Sequence, residues 1–252
     1  MEPVSPRDRI IFALDVQTAD EAASLAGLLK DDVGVFKIGL ELFVASGPGV
    51  VKAVRERAPG AGIFLDMKFH DIPATVRGAI KSASALGVDF VTVHCEGGEL
   101  LRAVVEGSGN RLKVLGVTAL TSMGEDDFAD AGINPVYRKS VDLVLHRARL
   151  ARLAGCAGVV CSGLEAGAVK AEFGPDFLVI SPGIRSAADA VDDQKRVTTP
   201  FEAIRNGADY IVVGRPIRKA PDPRAAAKAI AGQIEKGMQA RAREEKEKIK
   251  GA

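Results

Sequence analysis

The sequence predicts a single-domain α/β protein over residues 1–252, built as a closed (β/α)8 TIM barrel. Three observations carry that prediction. Eight short β-branched or aliphatic runs recur along the chain, helical segments lie between them, and polar residues gather where the runs end. A length of 252 residues suits one such barrel.

The runs are Ile10–Leu14, Val35–Ile38, Ile63–Leu65, Phe90–Val93, Val114–Val117, Gly158–Val160, Leu178–Ile180 and Tyr210–Val213. Most are continuously apolar rather than alternating, as expected of parallel strands buried on both faces. Between them, Thr18-Ala-Asp-Glu21 and Thr199-Pro-Phe-Glu202 match capping boxes, the second with proline at the first helical position. Asp71-Ile-Pro-Ala-Thr75 opens an alanine-rich helix that should stop near Leu86 at Gly87, and Ser140–Ala154 should stop at Gly155. The segments between Val117 and Ser140 and between Gly183 and Thr199 read as long βα loops, the kind that carry function. Residues 241–250 alternate charges at helical spacing and read as a solvated extension of the last helix. An open doubly wound sheet would give nearly the same local pattern. The placement of the polar residues favours the barrel.

Those residues are Asp15, Lys37, Asp66 with Lys68, His94, Ser162, Arg185 and Arg215. In a barrel all of these strand ends open onto one mouth. Reaching solvent would by itself account for Ser162 or His94. It accounts poorly for Lys37, which sits inside the apolar run Val35-Phe-Lys-Ile38 and must find water or an anion. Asp66, Lys68 and Asp71 supply alternating charges on the next strand end, where each ammonium gains a carboxylate and each carboxylate a donor. A generic buried ion network is the bland alternative.

Bulk properties narrow the partners. Lys plus Arg (34) nearly balances Asp plus Glu (33), so no general field draws the chain to nucleic acid or an anionic membrane, and any anion site must be local. Apolar stretches are too short for a membrane span. The first nine residues carry no signal-peptide apolar core, and the three cysteines, Cys95, Cys156 and Cys161, lack paired zinc-like spacing, so reduced buried thiols in the cytoplasm are expected. His70, His94 and His146 are scattered along the sequence, without metal-ligand spacing. A dinucleotide fingerprint and a P-loop are both missing from the glycine-rich segments.

The block Phe64-Leu-Asp-Met-Lys-Phe-His-Asp-Ile-Pro-Ala-Thr75 resembles the signature of the orotidine 5'-phosphate decarboxylase family. The resemblance continues in order through Ile11–Asp15, Phe36–Gly39, Leu120–Met123, Pro182–Arg185, Asp193-Gln194 and Val213–Pro216. It implies a homodimeric, cofactor-free lyase that converts orotidine 5'-monophosphate to UMP and CO2, with no metal. By that resemblance Lys68 delivers a proton to C6, and Asp66 lies beside the departing carboxylate in a network with Lys37, Lys68 and Asp71. Asp15 and Lys37 meet the ribose, and Thr121 and Ser122 line the pyrimidine edge. Gln194, Gly214 and Arg215 hold the phosphate, the loop that carries Arg185 and Gln194 closes over it, and Gln194 also reaches towards the base. Asp71 and Thr75 are contributed across the dimer interface to the neighbouring site.

Two other readings share parts of this pattern. A magnesium-dependent sugar-phosphate lyase or synthase on a similar barrel shares D-x-K-x-x-D, but Lys37 would place an ammonium beside the cation. A silent nucleotide- or protein-binding barrel is compatible with the fold, although a binder needs no proton donor.

Overall fold

The computed structural model describes residues 4–109, 111–185 and 196–250, with side chains to residue 247. Eight parallel strands close into a barrel in sequence order. They are β1 (Ile10–Ala13), β2 (Val35–Gly39), β3 (Gly62–Phe69), β4 (Phe90–His94), β5 (Lys113–Val117), β6 (Gly158–Val160), β7 (Leu178–Ser181) and β8 (Tyr210–Val213). Pairing of Ile10–Phe12 with Ile211–Val213 closes the ring, which excludes the open doubly wound sheet.

Side chains on a strand alternate between its two faces, and here the alternation separates two apolar regions. Ile11, Val35, Phe64, Phe90, Leu115 and Ile180 point inward and fill the barrel. Their sequence neighbours Ile10, Phe12, Phe36, Ile63, Leu65, Val91, Val114 and Val179 point outward and pack beneath the helices. Edge-on contacts of Phe64 with Phe90 (6.1 Å) and of Phe90 with Tyr210 (5.7 Å) help make the inner layer a solid floor. Two residues further along each strand, the same inward parity delivers the site.

Both capping signals hold a helix start. The Thr18 hydroxyl accepts the Glu21 N–H at 3.2 Å, and Thr199 and Glu202 exchange both halves of a box. Helices Pro73–Ala85 and Ser140–Leu153 end as expected, with Gly87 at φ 74° and Gly155 at φ 89°. The last helix, Pro223–Lys250, includes the charged tail and packs on Pro200–Arg205. Contact there is close enough that a Cβ on Gly237 would lie 2.7 Å from the Phe201 carbonyl oxygen.

Two departures from the sequence reading matter. Strand β3 runs on through Asp66 and Lys68 to Phe69, because inward-facing charges at a barrel mouth are compatible with continued pairing. The segment after β5 is not a bare loop: it contains a short helix, Glu125–Asp130, whose start is held by the Gly124 N–H donating to Asp127, and a 3-10 turn, Pro135–Tyr137.

Candidate active site

The inward parity of β1, β2, β3 and β8 stacks Asp15 beyond Ala13, Lys37 above Val35, Asp66 and Lys68 above Phe64, and Gly214 beyond Val212. All of these line one cavity of about 340 Å3 at the carboxyl end of the barrel. The rest of the lining comes from Val117 at the end of β5, Ala119, Leu120, Thr121 and Ser122 after it, Pro182, Gly183 and Arg185 after β7, and Arg215 after β8. A volume of this size holds a small molecule.

Asp66 is the hub. Lys68 Nζ lies 2.9 Å from its Oδ1 and 3.0 Å from its Oδ2, and Lys37 Nζ lies 3.6 Å from Oδ2 and 3.4 Å from Asp15 Oδ1. The Lys37 and Asp66 side chains are each 12% exposed, whereas that of Lys68 is 31% exposed and opens to the cavity. Burial acts to raise the Asp66 pKa, but the charges of Lys37 and Lys68, together with hydrogen bonds from Lys68 and Thr92, outweigh it and hold the carboxyl below its ordinary value. The aspartate is therefore anionic, with a lysine on either side of it.

Backbone geometry turns Lys68 towards this hub. Among the described residues it is the one non-glycine with positive φ, at 48°, and it falls where the β3–β4 register shifts between Leu65 and Phe69. Bulges of this kind re-aim side chains beside active sites. Thr92, on β4 and fully buried, secures the turn: its hydroxyl accepts the Lys68 N–H at 2.8 Å and donates to Asp66 Oδ1 at 2.9 Å. Sequence reading missed Thr92, because a threonine inside Phe-Val-Thr-Val is an ordinary strand residue. Its inward parity with Phe90 was the available signal.

After β7 and β8, Arg185 and Arg215 join the same lining as Gly214. A Cβ on Gly214 would stand 3.3 Å from Asp15 Oδ2, so the glycine keeps that corner open. Two arginines next to exposed backbone are the kind of groups that can hold an anion.

Not every expected residue joins the cavity. Asp71 and Thr75 are exposed and do not line it, so the network within one chain is Asp15–Lys37–Asp66–Lys68, without Asp71. The Asp71 carboxylate instead accepts the Ile72 N–H at 2.6 Å at the start of Pro73–Ala85. Ser162 is buried beneath the rim. Gln194, with Asp193, lies outside the described residues. The histidines are less scattered than their spacing suggests. The His70 and His94 rings are 5.6 Å apart, and His70 reaches Glu96 at 3.2 Å. Burial lowers the His94 pKa, which favours its neutral form. All three cysteines are free and buried, and burial raises each thiol pKa, that of Cys156 to about 12.

Fold and site together define a (β/α)8-barrel enzyme class in which a lysine–aspartate array and two arginines share one cavity. Residues 8–230 match the family described as orotidine 5'-phosphate decarboxylase / HUMPS, and the chain belongs to that family. It is 50% identical over 238 residues to the orotidine 5'-phosphate decarboxylase of Desulfosudis oleivorans, covering 93% of this chain and 96% of the relative. It is 48% identical over 232 residues to the protein of the same name from Anaeromyxobacter dehalogenans, covering 92% and 100%. The crystal structure of orotidine 5'-phosphate decarboxylase from Lactobacillus acidophilus superposes with a TM-score of 0.77 at 34% identity, covering 90% of this chain and 99% of that one.

Proposed function

We propose that this protein is a carboxy-lyase that converts orotidine 5'-monophosphate to UMP and CO2, the last step in making UMP. The observation that carries the reading is the Asp66 carboxylate held between Lys37 and Lys68 in a cavity that Arg185 and Arg215 also line. A nucleotide with an acidic base fits that lining: phosphate at the arginines and Gly214, ribose near Asp15 and Lys37, and pyrimidine between Lys68 and the Thr121–Ser122 edge.

Decarboxylation breaks the bond between C6 and the carboxyl carbon and leaves its electron pair on C6. With no cofactor to take up that pair, stabilisation must come from fixed charge. The Lys68 ammonium faces the developing carbanion and transfers a proton from Nζ to C6. Asp66 keeps Lys68 aimed and presents its own charge beside the departing carboxylate. Lys37 already counters Asp66 at 3.6 Å, so the carboxylate needs no metal ion to neutralise it.

The same reading makes the protein a cytoplasmic homodimer. Asp71 and Thr75 are exposed beside Ile72, itself 66% exposed, a patch suited to completing a neighbouring protomer's site. Among the described residues no helix is long and apolar enough to cross a membrane.

The test is loss of orotate absorbance when purified protein meets orotidine 5'-monophosphate in excess chelator. Turnover there is the expected result. Activity that returns only with added Mg2+ would favour a metal-dependent sugar-phosphate enzyme, and UMP binding without turnover a silent binder.

A further inference from the structure

One buried ion pair has no part in the chemistry above. Arg196 and Glu165 meet at 2.7 Å with side chains 8% and 5% exposed, below the rim of the cavity. Two charges so enclosed forgo hydration that an apolar pair would not need, so stability alone is a weak reason for them. What they hold together is more informative.

Arg196 follows β7 in sequence, yet its guanidinium donates to the carbonyl oxygens of Ala119 (3.1 Å) and Leu120 (2.9 Å), and its backbone N–H donates to Thr121 (3.2 Å). These acceptors belong to the cavity wall after β5, the wall that also carries Ser122. Glu165 anchors the same guanidinium to the loop after β6, where the Ser162 hydroxyl donates to the Arg196 carbonyl at 3.4 Å. Two residues beyond Arg196, Thr198 is tied to the segment carrying Arg185: the Arg185 N–H donates to the Thr198 carbonyl at 3.1 Å, and the Thr198 N–H to that of Gly183 at 3.2 Å. A chain of short contacts thus runs from Arg185 through Thr198 and Arg196 to Thr121.

We propose that Arg196, held by Glu165, is a positioning residue that couples Arg185 to the pyrimidine edge at Thr121 and Ser122, so that seating the phosphate aligns the base over Lys68. This rests on the decarboxylase reading. Arg196 acts through other residues, and its removal should cost most with a substrate that has a phosphate to seat.

The experiment compares kcat/KM of the full chain and of Arg196→Met and Glu165→Gln on orotidine 5'-monophosphate and on orotidine, the same base and sugar without phosphate. A loss in Arg196→Met of roughly 100-fold on the nucleotide is expected, the scale set by small misplacements of reacting groups, with a much smaller loss on the nucleoside. Glu165→Gln should show the same selectivity with a smaller loss, and Arg196→Lys should recover part of it. A general structural role would lower both substrates by the same factor, and that result overturns the proposal. If Arg196→Met does not fold, Glu165→Gln decides alone: an equal loss on both substrates, or nucleotide turnover like wild type, overturns it. A wild-type protein inactive on both substrates would instead overturn the decarboxylase reading itself.

Discussion

Lys37 and Lys68 bracket Asp66, and the depressed pKa of that carboxyl has a measurable consequence. A group whose folded pKa lies below its unfolded value contributes stability that is fully present above the unfolded value and lost as pH falls through the folded one. The stability difference between wild type and Asp66→Asn should therefore be largest near neutral pH and shrink as pH drops below about 4. Urea denaturation midpoints across pH check this, and a difference independent of pH would contradict it. Lys68→Ala should lose turnover by several orders of magnitude with its far-ultraviolet circular dichroism unchanged, because proton donor and facing charge disappear together. Near-normal turnover would remove Lys68 from the mechanism. Lys37 is legible in the sequence for a physical reason: a cation inside an apolar strand must have an anion near it, and the nearest charged strand end supplies Asp66, whereas the role of Lys68 is legible only through the family pattern. Thr92 and Arg196 are not legible, since the first looks like any strand threonine and the second like any loop arginine until the fold brings carbonyls and carboxylates to them.

At the level of the element, β3 does the positioning. Its register shift and the positive φ of Lys68 let Asp66 and Lys68, two residues apart, join through their side chains, and the Thr92 hydroxyl spans the irregularity. Thr92→Val keeps the shape but leaves the Lys68 N–H without its acceptor and removes a donor from Asp66, a loss of about 1–3 kcal/mol by the usual cost of an unsatisfied buried group. Lower stability in urea together with a larger fall in kcat than in UMP affinity is expected. Unchanged kcat would mean that β3 holds its conformation without Thr92. The eight strands are legible because burial on both faces leaves uninterrupted apolar runs, and the capping threonines mark helix starts. The true end of β3 is not legible, since charges that face a cavity and charges that face solvent look alike in one dimension. The short helix Glu125–Asp130 escapes for another reason: its start is held by Asp127 reaching back to Gly124, a cap without a capping threonine or serine.

For the whole molecule, the exposed position of Asp71 in a single chain bears on assembly. If each site combines Lys68 of one protomer with Asp71 of the other, co-dissociated Lys68→Ala and Asp71→Ala subunits that reassociate at random should recover about a quarter of wild-type activity, because half the dimers are mixed and each mixed dimer has one intact site. No recovery despite verified exchange would place Asp71 outside a shared site. One chain's sequence reaches the dimer only through the family pattern, because no intrachain contact distinguishes a residue reserved for a neighbour from one that merely faces water. The barrel is different: its strand count follows from local patterning, the polar strand ends point to one mouth, and the closed sheet satisfies both. What remains central is that this mouth breaks a bond to carbon at C6. Orotidine 5'-monophosphate labelled with carbon-13 in its carboxyl group, incubated with the purified protein in excess chelator, tests that claim most directly. One labelled CO2 released for each UMP formed is the predicted result, and label retained in the nucleotide after prolonged incubation would contradict it.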